Sequence, residues 1–139
     1  MKVIYLRDFI LPRWRKFYVA SAFPLFDDGG VYQGLLEIHR AAKATAHLDR
    51  FIIFGSFVTT KAHPNDVDIL LVMRDDFVLS DCSEETRKLF DHAEAETEFG
   101  ASIFWIRPSM LVLDTLEDFI LYWQIKRDLG RRGIVEVIG

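Results

Sequence analysis

The stretch Phe51-Ile52-Ile53-Phe54-Gly55-Ser56, followed after nine intervening residues by Asp66-Val67-Asp68-Ile69, decides the predicted fold. The four apolar residues predict a buried strand, and the Gly-Ser pair predicts a turn at its end. In the second segment two aspartates alternate with apolar residues at the head of another strand. Because successive residues of a strand lie on opposite faces, we expect Asp66 and Asp68 to share one face.

Two carboxylates on one face concentrate negative charge, which is costly unless a cation neutralises it. Mg²⁺ prefers oxygen ligands and completes its coordination shell with water and substrate phosphates. A small turn at Gly55 and Ser56 would let backbone N–H groups and a hydroxyl approach those phosphates. The two segments together therefore predict a site for a metal-bound nucleoside triphosphate.

The same segments resemble the signature of the nucleotidyltransferases of the DNA polymerase β superfamily, and are most similar to small prokaryotic minimal nucleotidyltransferase-like proteins. The resemblance covers about residues 51–73 closely and the rest of the chain by order of elements. It implies that Asp66 and Asp68 are catalytic ligands of Mg²⁺ and that Gly55 and Ser56 hold the β- and γ-phosphates. The implied reaction transfers a nucleoside monophosphate to a hydroxyl acceptor and releases pyrophosphate.

The resemblance also implies a third carboxylate, on a following strand beside the first two. The corresponding strand, Phe99–Trp105, contains no acidic residue, and the aligned position holds Ser102. Glu96 and Glu98 lie just upstream of it. A serine hydroxyl is a poor Mg²⁺ ligand and a poor general base, so it does not replace the acid.

Three interpretations remain open at this point. The first is an active nucleotidyltransferase that uses ATP or another nucleoside triphosphate. The second is a catalytically degenerate nucleotide-binding or antitoxin-type partner-binding module, because the resemblance implies pairing with a small helical protein in toxin–antitoxin settings, or a homo-oligomer. The third is an unrelated small α/β interaction domain.

Composition limits the class of protein further. At 139 residues the chain is predicted to be a single domain, 1–139, and half of its residues are hydrophobic. The net charge is −4, although residues 1–20 carry five basic residues against Asp8, a local +4. The acidic remainder argues against general nucleic-acid binding, and we interpret the basic aromatic stretch Arg13–Tyr18 as an ordinary strand or helix edge. The single cysteine, Cys82, and the lack of a membrane-length apolar run predict a cytoplasmic protein.

Hydrophobic periodicity predicts an α/β (α+β) fold, in which helices pack against a small mixed β-sheet. Residues 1–30 are predicted as an irregular lead-in with at most one short strand. The predicted helices are Val31–Leu48, Ser80–Glu98 and one that opens at Thr115 and closes at Lys126, Arg127 and Gly130; the predicted strands are Phe51–Phe54, Asp66–Met73, Ala101–Arg107 and Gly133–Ile138.

The remaining residues with possible chemical roles show weaker patterns. The histidines share no metal-binding motif, and no spacing rule singles out Lys43 or Lys61 for phosphate binding. Five aromatic residues are interpreted as core and partner surface rather than as a base-stacking platform: Phe104, Trp105, Phe119, Tyr122 and Trp123.

Overall fold

The computed structural model describes residues 3–7, 14–18, 30–54, 68–125, 129 and 134–138, with side chains described from Gly34 onward except at positions 135 and 138. The strands are β1 (Val3–Arg7), β2 (Trp14–Tyr18), β3 (Leu48–Phe54), β4 (Asp68–Met73), β5 (Ser102–Ile106) and β6 (Ile134–Ile138). The α-helices are α1 (Gly30–Ala44), α2 (Glu84–Arg87), α3 (His92–Phe99) and α4 (Leu116–Trp123), and short 3₁₀ turns occupy Leu79–Asp81, Lys88–Phe90 and Pro108–Met110.

The six strands form one mixed sheet in the order β2-β1-β6-β3-β4-β5. Every neighbouring pair is antiparallel except β4 and β5, which run parallel. A parallel pair needs a crossover connection, and the segment that contains α2 and α3 supplies it. The predicted α+β class, a mixed sheet with helices packed against it, is confirmed.

Helices cover both faces of the sheet. One face packs against α1 and α3 through residues such as Ile69 and Leu71, and the other packs against α4 through Leu70 and Val72. All of β4 after Asp68 is therefore fully buried, as its continuous apolar sequence predicts.

One row of paired residues runs across the end of the sheet, and each of the six strands begins or ends in it. Arg7 pairs with both Trp14 and Ile134, while Asp68 pairs with both Phe54 and Ser102. Ile53 pairs with Val135, so the same register continued by one residue sets Phe54 beside Ile134. We call this set the terminal row; in spatial order it consists of Trp14, Arg7, Ile134, Phe54, Asp68 and Ser102.

The prediction of an irregular lead-in over residues 1–30 is wrong. The described part of this segment contains two strands, which form an antiparallel hairpin, and β1 also pairs with β6. The basic aromatic stretch is the strand β2 at the edge of the sheet. The pairing of β1 with β6 joins residues more than 125 positions apart, which leaves no local pattern in the sequence.

The predicted helix Ser80–Glu98 is also wrong, because several short elements replace it. Ser83 and Asp91 are extended residues that cap new helices: the Thr86 N–H donates to Ser83 Oγ at 3.2 Å, and the Glu94 N–H donates to Asp91 Oδ1 at 3.0 Å. Such caps compete with a continuous helix. Gly100, at φ +67°, then ends α3 in the left-handed conformation.

The other boundaries differ by a few residues from those predicted. Helix α1 ends at Ala44 rather than Leu48, because the chain turns at Ala46 (φ +61°) and β3 already begins at Leu48. Thr115 caps α4 as predicted, with the Asp118 N–H donating to its hydroxyl at 3.2 Å. Helix α4 ends at Trp123, and the predicted closing residues 126, 127 and 130 lie outside the described part of the chain.

His39 is a buried polar residue of α1 that makes folding depend on pH. Its ring meets the Phe51 ring edge-on, with centroids 5.2 Å apart. Burial, with Lys43 and other positive charge nearby, lowers the pKa of His39 from 6.5 to about 4. The folded protein therefore keeps this ring neutral at a pH where the unfolded chain has already protonated it.

Because the folded pKa is the lower one, the stability contribution is complete above pH 6.5 and is lost as the pH falls towards 4. Between about pH 7.5 and pH 5 we expect the free energy of unfolding to fall by about 2 kcal/mol on this account. Urea unfolding at both pH values measures it. The loss should shrink in His39→Leu and persist in His92→Gln, an exposed histidine; an unchanged pH dependence in His39→Leu would exclude His39 as its source.

Candidate functional site

Asp68 and Ser102 stand side by side at the start of two parallel strands. They are Cα partners in the register of β4 and β5, and both side chains are half-buried. Asp68 lies two residues before Leu70, and Ser102 two residues before Phe104, so both belong to the face that α4 covers. The structure thus sets Ser102 next to Asp68, in the neighbourhood that the family resemblance implies for a third carboxylate.

Several predicted site residues lie outside the described part of the chain. These are Gly55, Ser56 and Asp66, together with Lys61 and His63. In the sequence, Gly55 directly follows Phe54 of the terminal row, and Asp66 is two residues before Asp68. Their assignment to a phosphate and metal site stays a prediction.

Glu98 is the nearest other acidic residue in the sequence, but in the structure its helix packs on the other face of the sheet. It lies on α3, which packs through Ala95 on the face opposite to the one that Asp68 and Ser102 share. Its carboxylate accepts a hydrogen bond from Lys88 Nζ at 3.2 Å. Glu96 is exposed on the same helix. Within the described residues, no group of three or more His, Cys, Asp or Glu side chains has the arrangement of a metal site.

An aromatic layer lies over the terminal row at Phe54. The Trp123 ring packs 5.3 Å from Phe54, 4.9 Å from Phe104 and 5.9 Å from Phe119, measured between centroids. The interpretation of these residues as core is correct. Two members of the predicted cluster separate from it: Trp105 packs on the opposite face and Tyr122 is 72% exposed.

Sequence reasoning missed an ion-pair network on the same face, at the other end of β3. The Arg50 guanidinium donates to both carboxylate oxygens of Glu136, at 2.6 and 2.9 Å, and to Glu117 at 2.8 Å. The hydrogen bond to Glu136 and the adjacent carboxylates raise the pKa of Arg50 above its usual value despite burial. The network ties α4 to β3 and β6. Its one sequence signal is a single charged residue, Glu136, in an otherwise apolar strand.

A cavity among the described residues lies away from the terminal row. It has a volume of about 290 Å³ and lies beside the end of α1 and the 3₁₀ turn that follows β4, with His47, Asp76 and Cys82 among its lining residues. His47 Nδ1 lies 2.6 Å from the Thr45 carbonyl oxygen, which fixes the ring. Lys43 is exposed on α1, whose buried side chains pack on the face opposite to Asp68, so the structure does not bring it to Asp68.

Comparison with known protein families gives a match over most of the chain. A family model described as "Family of unknown function (DUF6932)" matches residues 29–138. The chain belongs to this family. The matched region runs from α1 to β6 and includes both segments of the predicted nucleotide site, whereas the β1–β2 hairpin lies outside it.

Neither curated proteins nor solved structures contain a match to the chain. In the described part of the molecule, all helices are too short or too polar to cross a lipid bilayer.

Proposed function

We propose that this protein binds a magnesium–nucleoside triphosphate complex where β3 ends and β4 and β5 begin, as a nucleotidyltransferase-like protein. The observation that carries the proposal is the register that pairs Asp68 with both Phe54 and Ser102. This register brings the start of β4, which carries the acidic pair in sequence, beside the strand end that leads into Gly55 and Ser56.

In the proposed site Asp66 and Asp68 hold Mg²⁺, which neutralises the phosphates and orients them for in-line attack. Gly55 and Ser56 hold the β- and γ-phosphates. In transfer, an acceptor hydroxyl oxygen forms a bond to the α-phosphorus, and the bond from that phosphorus to the β-phosphate bridging oxygen breaks. Pyrophosphate leaves, and a base has to accept the proton of the hydroxyl.

The lack of an acidic residue at position 102 favours a protein that binds a nucleotide but transfers little or no nucleoside monophosphate. Ser102 occupies the position beside Asp68, and a serine hydroxyl does not accept a proton at neutral pH. Glu98 is paired with Lys88 in the other helix layer. We therefore propose the degenerate, nucleotide-binding state as the second candidate, with active transfer depending on an acid from another source.

The partner-binding alternative has a separate observation in its favour. The loop before α4 and the outer side of that helix expose apolar side chains: Val112 is 90% exposed, Leu113 94% and Tyr122 72%. Exposed apolar groups of this kind suit a small helical protein partner or a second copy of the chain. We place this activity in the cytoplasm, in line with a single cysteine.

A thermal-shift measurement tests the metal site. At a hundredfold excess over Kd, a ligand that binds only the folded state adds about 2.7 kcal/mol to the free energy of unfolding. We expect Mg²⁺ with ATP to stabilise the wild type in this way. In the double variant Asp66→Asn/Asp68→Asn the shift should vanish, while the ligand-free protein keeps or gains stability because two like charges are removed.

The matched control removes two exposed carboxylates elsewhere, in the double variant Asp49→Asn/Asp114→Asn. This control should keep the nucleotide-dependent shift of the wild type. A shift that survives the loss of Asp66 and Asp68 would refute the assignment of the metal site.

A further inference from the structure

We infer that the cavity beside the end of α1 binds a primary ammonium group carried on a short aliphatic stem. The cavity, of about 290 Å³, lies at the end of the sheet opposite to the terminal row, because His47 precedes β3 and Phe77 follows β4. Strand β4 is six residues long, which puts its two ends about 17 Å apart. The inference therefore concerns a second site and does not depend on the proposed nucleotide site.

The His47 ring is held in one orientation by the main chain. Its Nδ1 lies 2.6 Å from the Thr45 carbonyl oxygen, and because a carbonyl oxygen only accepts, Nδ1 carries a proton and donates it. In the neutral ring Nε2 is then a hydrogen-bond acceptor. It lies 3.9 Å from Asp76 Oδ2, another acceptor, and both residues line the cavity. The wall thus presents two neighbouring acceptors that one donor can bridge.

The other polar groups of the cavity favour a cation that donates hydrogen bonds. The hydroxyl groups of Thr45 and Ser83 already donate within the protein, at 2.7 and 2.9 Å. Asp76 and Asp81 place two carboxylates at the cavity, whose lining residues include no lysine or arginine. Arg74 donates to Asp76 Oδ2 at 3.1 Å, but it is not a lining residue and offsets only one of the two charges. A ligand in the cavity therefore meets a negative wall of acceptors.

A metal ion fits the two acceptors less well than a nitrogen atom does. Zinc bound to His47 Nε2 and Asp76 Oδ2, at about 2.0–2.1 Å from each, would need an angle of about 140° instead of the tetrahedral one. The part of the chain that the structure describes contains no group of three metal-binding side chains. Burial, with Asp81 nearby, raises the pKa of the Cys82 thiol, so the sulfur keeps its proton. An ammonium nitrogen fits both acceptors at about 2.9 Å.

The cavity also has the volume and the apolar walls that an aliphatic stem requires. Its volume is the share of about ten water molecules, far more than an ammonium group alone occupies. Ala44, Phe77 and Val78 supply apolar lining. Phe77 is fully buried, and its ring centroid lies 6.0 Å from that of His47, so the apolar wall adjoins the acceptor pair. A stem packed on these side chains brings its ammonium group to His47 and Asp76.

Titration with three small probes, followed by the amide signals of ¹⁵N-labelled protein, tests the inference. We expect butylammonium to bind and to shift the signals of residues around the cavity, such as His47 and Phe77. Butanol lacks the charge and tetramethylammonium lacks N–H donors, so each should bind at least tenfold more weakly. Equal binding of butanol would reduce the site to an apolar pocket, and equal binding of tetramethylammonium would show that no donor is needed; either result overturns the inference.

Two substitutions test the acceptor pair. Asp76→Asn keeps the shape but removes the charge, and His47→Phe keeps a ring beside Phe77 but has no acceptor; each should weaken butylammonium binding about tenfold. The matched control is Asp75→Asn, which removes the same charge one residue away: Asp75 Oδ1 accepts from the Ser109 N–H at 2.8 Å and does not line the cavity. Its affinity should equal that of the wild type.

Asp76 is an exposed residue, so Asp76→Asn decides the question even if His47→Phe does not fold. An unchanged affinity in Asp76→Asn, or an equal loss in Asp75→Asn, overturns the inference. A fourth probe, Nα-acetyl-lysinamide, separates two sources of the same ammonium group. Tighter binding of this blocked lysine than of butylammonium supports the site as a receptor for a lysine side chain of another protein, and weaker binding supports it as a site for a free amine.

Discussion

Replacing Ser102 with aspartate is expected to raise nucleotidyl transfer about a hundredfold, the lower end of what a positioned general base contributes. The new carboxylate would stand beside Asp68 in the register of β4 and β5. It would complete a site with three acids and tighten Mg²⁺ binding about tenfold, because metal affinity rises with the number of charged ligands. Pyrophosphate release in the presence of a nucleoside triphosphate and a hydroxyl acceptor measures the gain.

The same change should destabilise the metal-free protein, since a third like charge joins the other two. Ser83→Asp is the matched control, because Ser83 is an exposed helix cap and aspartate caps a helix equally well. It should change neither transfer nor stability. Robust transfer by the wild type that is lost in Glu98→Gln would contradict the prediction and identify Glu98 as the third acid.

The substitution Glu136→Gln is expected to lower the free energy of unfolding by about 3 kcal/mol. It leaves the Arg50 guanidinium, 16% exposed at its side chain, without the carboxylate that accepts two of its hydrogen bonds. A buried charge that loses its partner is strongly destabilising. Urea unfolding at neutral pH measures the loss.

Glu117→Gln removes the second partner of Arg50 from a 54% exposed position, and should cost no more than about 1 kcal/mol. The double variant Arg50→Met/Glu136→Leu should recover much of the stability lost in Glu136→Gln, because it removes the charge together with its partner. Equal small losses from Glu136→Gln and Glu117→Gln would show that burial does not strengthen the network.

The elements that sequence predicts well are those with local signals. The apolar run Ile69–Met73 specifies a strand covered on both faces, and Thr115 marks a helix start by its own capping chemistry. The hairpin fails as a prediction because β1 is stabilised by β6, at the other end of the chain. The region 80–98 fails because Ser83 and Asp91 offer two competing helix starts inside one apolar periodicity.

For the candidate site, the sequence predicts which residues lie beside Asp68, but not which residues pack over this face of the sheet. The family resemblance implies that Ser102 takes the place of a third carboxylate beside the acidic pair, and the register does pair Ser102 with Asp68. Burial of Phe54 under Trp123, and the link from Arg50 to Glu136 and Glu117, depend on contacts between residues far apart in the chain. Such contacts produce no periodic pattern in the sequence, because neither partner differs from the residues expected in its own segment.

The position of β1 between β2 and β6 has a consequence for how the molecule is made. Residues 3–7 leave the ribosome before the other described strands, yet one of their two neighbouring strands is residues 134–138. The hairpin has no sheet to join until residues 134–138 have been synthesised, and such distant pairing slows folding. During that interval β6 is absent and the outer edge of β3 stays unpaired, which is a template for association between nascent chains. Synthesis of β6 thus closes the sheet and completes the terminal row in one late step.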